Sequence, residues 1–315
     1  MAIQYPLGGV LHEESDGKAV VFDYELFVKK ILITGANGQL GNEMRLLSDK
    51  FPTFSFDFTD IGELDLCNTE AVLDYCIRTK PSYIINCAAY TAVEKAEEDT
   101  ELCTKVNRDA VANIAKAAKA VNAKVLHVST DYVFDGTNHT PYVETDPVCP
   151  VSVYGRTKLE GEQVLQEICP ESVILRTAWL YSPFGNNFVK TMIKLGRERD
   201  KLSVIFDQIG TPTYAGDLAS ALMQIIVSAE KGTFVPGIFH FSNEGACSWY
   251  DFAVSIHKIA GIKNCQVLPI ETKDFPAKVS RPAYSVLNKS KIKAVYGITI
   301  PHWETSLADC IAKLS

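Results

Sequence analysis

The chain has 315 residues, 47% of them hydrophobic and 22% charged, with a formal net charge of −7. That length suits two domains of roughly 100–200 residues each, and the balance of apolar and charged residues is that of a globular chain rather than a disordered one. A net negative charge argues against broad nucleic-acid binding, and no apolar run reaches the ~18–20 residues of a membrane span.

Residues 1–29 read differently from the rest. A Gly-containing, acidic stretch from Gly8 to Gly17 precedes a short β-like run, Ala19 to Val28, and the whole is an unassigned N-terminal extension. No Lys or Arg precedes Lys18 and no long apolar core is present, so a secretory signal is not expected. From Lys30 onward strands and helices alternate. Strands are predicted at 30–34, 53–59, 82–88, 124–130 and 173–177. Helices are predicted from the glycine loop to about Lys50, then at 68–79, 101–121 and 152–168. The helix at 101–121 carries Leu102, Val106, Ala110, Ile114, Ala117 and Val121 on one stripe.

This rhythm implies an α/β fold: a Rossmann-type doubly wound parallel sheet, its strands joined by right-handed crossovers and covered by helices on both faces. After Trp179 the pattern loosens. Helices are expected near 186–199, 214–229, 248–260, 287–295 and 302–314, with short strands between. The expected division is a dinucleotide-binding domain over 30–178, joined by part of 211–241, and a smaller, partly interleaved substrate domain over 179–315.

The nine cysteines include no C-x-x-C, and neither a disulfide framework nor a zinc site is suggested. The six histidines show no ligand spacing, and no metal is expected. His127 falls inside a strand and reads as packed there. Reduced thiols point to a cytoplasmic protein.

Between the first strand and first helix lies Gly35-Ala-Asn-Gly-Gln-Leu-Gly41. Glycines there let the backbone approach a pyrophosphate, and the helix N-terminus offers unpaired N–H groups and the positive end of a dipole. Asp60, at the end of the second strand, is suited to a ribose 2′-hydroxyl and would repel a 2′-phosphate, with Asp57 as a competitor. NADH is therefore slightly favoured over NADPH. Asp65 and Leu66 are candidates to border the adenine.

Tyr154-Gly-Arg-Thr-Lys158 opens the helix predicted at 152–168. Residues four apart share one helix face. A nearby ammonium favours the phenolate and is expected to lower the tyrosine pKa, and such a tyrosine can hand a proton to a carbonyl oxygen as hydride reaches its carbon.

Glycine loop, Asn86-Cys-Ala-Ala89, Ser129-Thr130-Asp131 and the Tyr154/Lys158 pair together resemble the extended short-chain dehydrogenase/reductase superfamily. The segments KILITGANGQLG, NCAAYTAVEKAEED, HVSTDYVFDG, PYVETDPVCPVSVYGRTKLEGE, LRTAWLY, NFVKTM, SWYDFA and RPAYSVL, in order from Lys30 to Leu287, are similar to the dTDP-4-dehydrorhamnose reductase branch.

The resemblance implies reduction of a 4-keto sugar nucleotide by NADH or NADPH, with a dTDP-sugar as substrate, no nucleic-acid or membrane partner, and a homodimer as the candidate assembly. It implies Tyr154 as proton donor, Lys158 on the nicotinamide ribose and Thr130 on the substrate O4. Ser129 is the alternative to Thr130, since neighbours on a strand point to opposite faces. Gly35, Asn37, Gly38, Gln39, Leu40, Asn86, Ala88, Ala89 and Tyr90 join the acidic candidates on the cofactor. Asp131, Tyr132, Trp179, Asn187 and Arg281 are the substrate candidates, and Asn107 is a support for the site. The alternatives are another nucleotide-sugar reductase or epimerase of the same fold, or a non-catalytic regulatory subunit like methionine adenosyltransferase β.

Overall fold

The computed structural model describes residues 28–276, 279 and 281–314, together with two antiparallel two-residue strands, Glu14–Ser15 and Lys18–Ala19. Apart from its ends, the strand-like run at 19–28 lies outside the described residues. Eight longer strands follow in chain order: β1 (Lys29–Thr34), β2 (Phe54–Thr59), β3 (Tyr83–Asn86), β4 (Lys124–Thr130), β5 (Ser172–Thr177), β6 (Lys201–Ile205), β7 (Gly237–His240) and β8 (Gln266–Ile270). The main helices are α1 (Gln39–Ser48), α2 (Thr69–Thr79), α3 (Thr100–Thr104), α4 (Ala110–Val121), α5 (Val153–Ile168), α6 (Phe188–Glu198), α7 (Ala215–Glu230), α8 (Trp249–Ile259), α9 (Ser290–Tyr296) and α10 (Trp303–Ala312).

Six strands form one parallel sheet in the order β7-β5-β4-β3-β1-β2. Its two faces are set by the two-residue period of the strands. Ile31, Ile33, Tyr83, Ile85, Leu126, Val173 and Leu175 point to the side covered by α1, α7 and α9. Leu32, Ile84, Val125 and Ile174, their sequence neighbours, point to the side covered by α2, α4 and α5. After Thr177 the chain builds a second core around α6, α8 and α10, with β6 and β8 paired in a small parallel sheet. It twice returns to the main sheet, with α7 and β7 and again with α9.

Two features of the fold shape the groove at the carboxyl edge of the sheet. Strand order reverses between β1 and β3, and at such a switch the carboxyl ends of the strands open a crevice. The helix expected as continuous over 101–121 is interrupted by a π turn, Lys105–Asp109, between α3 and α4. Extra residues of this kind recur at functional sites. Here the turn lodges against α5, where a Cβ on Gly161 would lie 2.1 Å from the Asn107 carbonyl oxygen. Only a glycine allows α5 to lie that close.

Candidate active site

The glycine loop runs from the end of β1 into α1. Two of its glycines are required by packing. A Cβ on Gly35, whose φ is +66°, would sit 2.6 Å from the Ala88 nitrogen, and one on Gly41 would sit 2.5 Å from the Ala36 Cα. Gly38 is different. A side chain there would meet only the Gly35 oxygen, at 3.2 Å, and the residue faces the crevice. Gly38 is also the N-cap of α1, with no side chain capping the helix and no acid in its first turn. The first amides of α1 are thus suited to an anion.

On one side of this loop lies a cleft of about 460 Å³ lined by Gly35, Asn37, Asp60, Asp65, Leu66 and Ala88 among others. Asp60 Oδ2 accepts the Asn37 N–H at 2.8 Å, which ties the end of β2 to the loop. On the other side lies a cleft of about 560 Å³ that reaches Thr130, Tyr154 and Lys158. Gly38, Cys87 and Ala89 border both, so the two are halves of one groove. Its two connected halves, its glycine floor and the uncapped helix end fit a dinucleotide.

In the second half the sequence candidates converge. Asp131, Tyr132, Trp179, Asn187, Arg281, Gln39 and Leu40 all line it. Gln39 and Asn187 prove to be partners, the Asn187 amide donating to Gln39 Oε1 at 2.9 Å while its own Oδ1 caps α6. This pair joins the glycine loop to the second core. Arg281 reaches Glu94 at 3.4 Å at the cleft edge. Tyr90 departs from expectation: it lines neither half, and its N–H and C=O are both taken by the Asn107 side chain. Asn107 also donates to the Thr157 hydroxyl at 3.2 Å, so it clamps the loop after β3 to α5 through its own amide.

Residues that motif reading did not single out complete the wall. Trp249 stacks flat on Trp179, with centroids 3.5 Å apart and planes at 9°, and Phe188 leans on it. Trp179 sits at φ +49°, a strained conformation for so large a side chain. Gly210 makes room for its indole, since a Cβ there would lie 2.5 Å from Trp179 Cε2. Strain of this sort collects at sites of function. The signal was present in SWYDFA, yet nothing in the sequence says that its tryptophan meets one seventy residues earlier.

The reacting groups lie at the carboxyl end of β4 and the start of α5. Ser152 caps α5 by accepting the Gly155 N–H, which fixes where Tyr154 emerges. Tyr154 packs edge-on against Tyr132, with centroids 5.4 Å apart. Burial pushes its phenol above the ordinary value, and a hydrogen bond with the Thr130 hydroxyl pulls it partly back. Thr130 donates to Asp131 Oδ1 at 3.1 Å. Burial raises the Asp131 carboxyl to about 6 against hydrogen bonds from Ser285 and Thr130. Thr130 and Ser129 both line the groove beside Tyr154, and it is Thr130 that acts on the phenol. The Ser129 hydroxyl is buried without a hydrogen-bond partner among the described residues.

Lys158 is only 2% exposed, and burial lowers its ammonium to about 8. It donates to the Val128 carbonyl at 2.7 Å instead of pointing at the phenol. The expected lysine-depressed tyrosine is therefore not what this geometry gives. Burial of the phenol wins, and the neighbouring Asp131 carboxylate adds to the rise.

No group of metal-ligating side chains occurs among the described residues, and the nine cysteines are free thiols. No described helix is long and apolar enough to cross a membrane.

Residues 29–315 match the family model described as RmlD substrate binding domain. The chain is 45% identical to a dTDP-4-dehydrorhamnose reductase of Aggregatibacter actinomycetemcomitans over 287 residues, covering 88% of this chain and 97% of that protein. It is 38% identical to the enzyme of that name from Escherichia coli K12, covering 90% and 97%. A solved dTDP-4-dehydrorhamnose reductase from Clostridium acetobutylicum superposes with a TM-score of 0.86 at 45% identity, covering 90% of this chain and 99% of that one. One from Bacillus anthracis in complex with NADP gives 0.85 at 38%, covering 91% and 99%. With its glycine loop, threonine, tyrosine and lysine gathered in one groove, the chain belongs to the RmlD family.

Proposed function

We propose that the protein reduces the 4-keto group of dTDP-4-dehydro-β-L-rhamnose to give dTDP-L-rhamnose, as a cytoplasmic, NADH- or NADPH-dependent enzyme of nucleotide-sugar synthesis. One observation carries this reading. A phenol held in its protonated form lies beside Thr130 in the same groove as a glycine loop shaped for a dinucleotide.

Bound NAD(P)H supplies hydride to the carbonyl carbon. The chain supplies the rest. Tyr154 gives its proton to the O4 that becomes a hydroxyl, which balances the hydride. Thr130 turns its one hydroxyl proton from Asp131 to the O4 when substrate is present. Lys158 keeps N–H groups for a ribose beyond the one given to Val128. The Trp179–Trp249 stack offers a flat apolar wall to the sugar nucleotide. The test is direct: loss of NADH absorbance on adding the 4-keto sugar nucleotide, with dTDP-L-rhamnose identified as product. Absence of turnover with either cofactor would overturn the proposal.

Cofactor choice rests on Asp60. Its carboxylate accepts the Asn37 N–H at the loop and would repel the 2′-phosphate of NADPH. NADH is expected to be used at least as well as NADPH, and Asp60→Asn to shift the ratio of their kcat/KM values toward NADPH by roughly tenfold, about 1.4 kcal/mol. A ratio that does not move in steady-state kinetics would remove Asp60 from this role.

A further inference from the structure

Lys158 is held from behind by a chain of polar groups that the reaction does not consume. His127 lies on β4, fully buried, with its Nε2 3.4 Å from the Lys158 nitrogen and its Nδ1 3.0 Å from Asn86 Nδ2. Which way the Asn86 amide faces follows from its other partners. Its Oδ1 takes the Ala88 backbone N–H at 3.1 Å and the Thr34 hydroxyl at 2.7 Å. A backbone N–H can only donate, so that atom is the oxygen, and the NH₂ group must face His127. Nδ1 is thereby an acceptor. A neutral imidazole then carries its proton on Nε2, the nitrogen next to Lys158. Burial, followed by the charge of Lys158, holds the ring far below its ordinary pKa, so neutral is the form to consider.

The lysine thus meets an N–H donor where a lone pair would have served an ammonium. We propose that Asn86 and His127 act as positioning residues, a tautomer lock that denies Lys158 an acceptor and so sets the pH at which it gives up its proton.

The other groups around Lys158 do not substitute for that acceptor. Glu162, on α5, favours the ammonium but is bonded two ways to Arg176. Cys103, on α3, favours it too, and burial raises the pKa of that thiol, leaving it mostly neutral. Tyr154, on the same helix, is held neutral. Cys87, at the groove floor, is pushed up to about 12 by burial. Among the described residues the Val128 carbonyl on β4 is the one strong acceptor for the amine. Lys158 is charged at low pH and loses its charge as pH rises. Cofactor affinity that depends on the ammonium therefore falls on the alkaline side, at a pH set by the lock.

The functional consequence rests on the proposed binding of NADH at this groove, but the lock itself is tested without turnover. In ¹⁵N-histidine-labelled wild-type protein at neutral pH, His127 is expected to be protonated at Nε2 and bare at Nδ1. A proton on Nδ1, or on both nitrogens, overturns the proposal whatever the enzyme catalyses. Asn86→Asp keeps an oxygen for Thr34 and Ala88 and turns the other toward Nδ1, drawing the imidazole proton there. The Nε2 lone pair then faces Lys158. In this variant the alkaline fall in NADH affinity, read by fluorescence titration, is expected to move up by about one pH unit, tenfold in proton concentration. A reversed tautomer with an unmoved alkaline fall would overturn the proposal, and so would an equal rise in Asn86→Asp with His127→Leu, which keeps the new charge and lacks the ring. Failure of wild-type protein to bind NADH, with the expected tautomer present, would instead count against the functional reading.

Discussion

Replacing Tyr154 with Phe is expected to lower kcat by about 10²- to 10⁴-fold, the usual worth of a positioned general acid, with cofactor affinity nearly unchanged. The reasons are local. The phenyl ring keeps the edge-on contact with Tyr132, so the packing at the start of α5 survives. Thr130 still donates to Asp131, so no buried hydroxyl is stranded and stability should change by no more than about 1 kcal/mol. Only the proton route to O4 is lost. Steady-state oxidation of NADH by the 4-keto sugar nucleotide, with NADH fluorescence titration alongside, separates the two effects. Turnover within a few-fold of wild type would take Tyr154 out of the mechanism.

The same residue shows why the direction of reaction matters. A reductase needs its tyrosine protonated when substrate arrives. A phenol raised by burial meets that need better than one depressed by an adjacent ammonium. The sequence suggests depression because Tyr154 and Lys158 share a helix face. It cannot show that the lysine reaches past the phenol to the backbone of β4.

The main sheet is readable because each strand is a run of apolar residues with a two-residue period, and each lies between helices of ordinary length. The strand expected at 82–88 proves shorter, Tyr83–Asn86, because the chain leaves the ladder where the small residues after Asn86 border the groove. The π turn at Lys105–Asp109 has no counterpart in the apolar stripe. It arises from the clamp between Asn107, Tyr90 and Thr157, which is a matter of tertiary contact. Tyr90 departs from its expected place for the same reason: the motif brings its backbone near the cofactor groove, while Asn107 holds that backbone from the opposite side. Beyond Trp179 the pairings are brief and distant. Ile209–Gly210 pairs with Cys247–Ser248, and Thr213–Tyr214 with Leu180–Tyr181. Two-residue strands leave no period to read, so the aromatic wall they assemble is legible only as separate tryptophans.

The largest effect on stability is expected from a pair that touches neither substrate nor cofactor. Arg176, on β5, gives its Nε and Nη2 to the Glu162 carboxylate on α5, with contacts of 2.7 to 3.2 Å. The side chains are 2% and 1% exposed, and the guanidinium lies 5.2 Å from the centre of the Phe134 ring. The pair fixes α5, the helix that carries Tyr154 and Lys158, to the sheet. Glu162→Gln leaves a buried guanidinium with no counter-charge and is expected to cost about 3–5 kcal/mol, a fall in Tm of roughly 10 °C. Replacing both partners, Arg176→Met with Glu162→Leu, is expected to recover most of that loss, because two matched apolar side chains leave no charge behind. The double variant should nonetheless bind NADH over a narrower alkaline range, since Glu162 also favours the charged form of Lys158. Thermal melts of Arg176→Met, Glu162→Leu and the double variant close the cycle, with Glu162→Gln melted alongside. A Glu162→Gln protein that melts with the wild type would mean that water reaches the guanidinium, and that α5 is held by its apolar face alone.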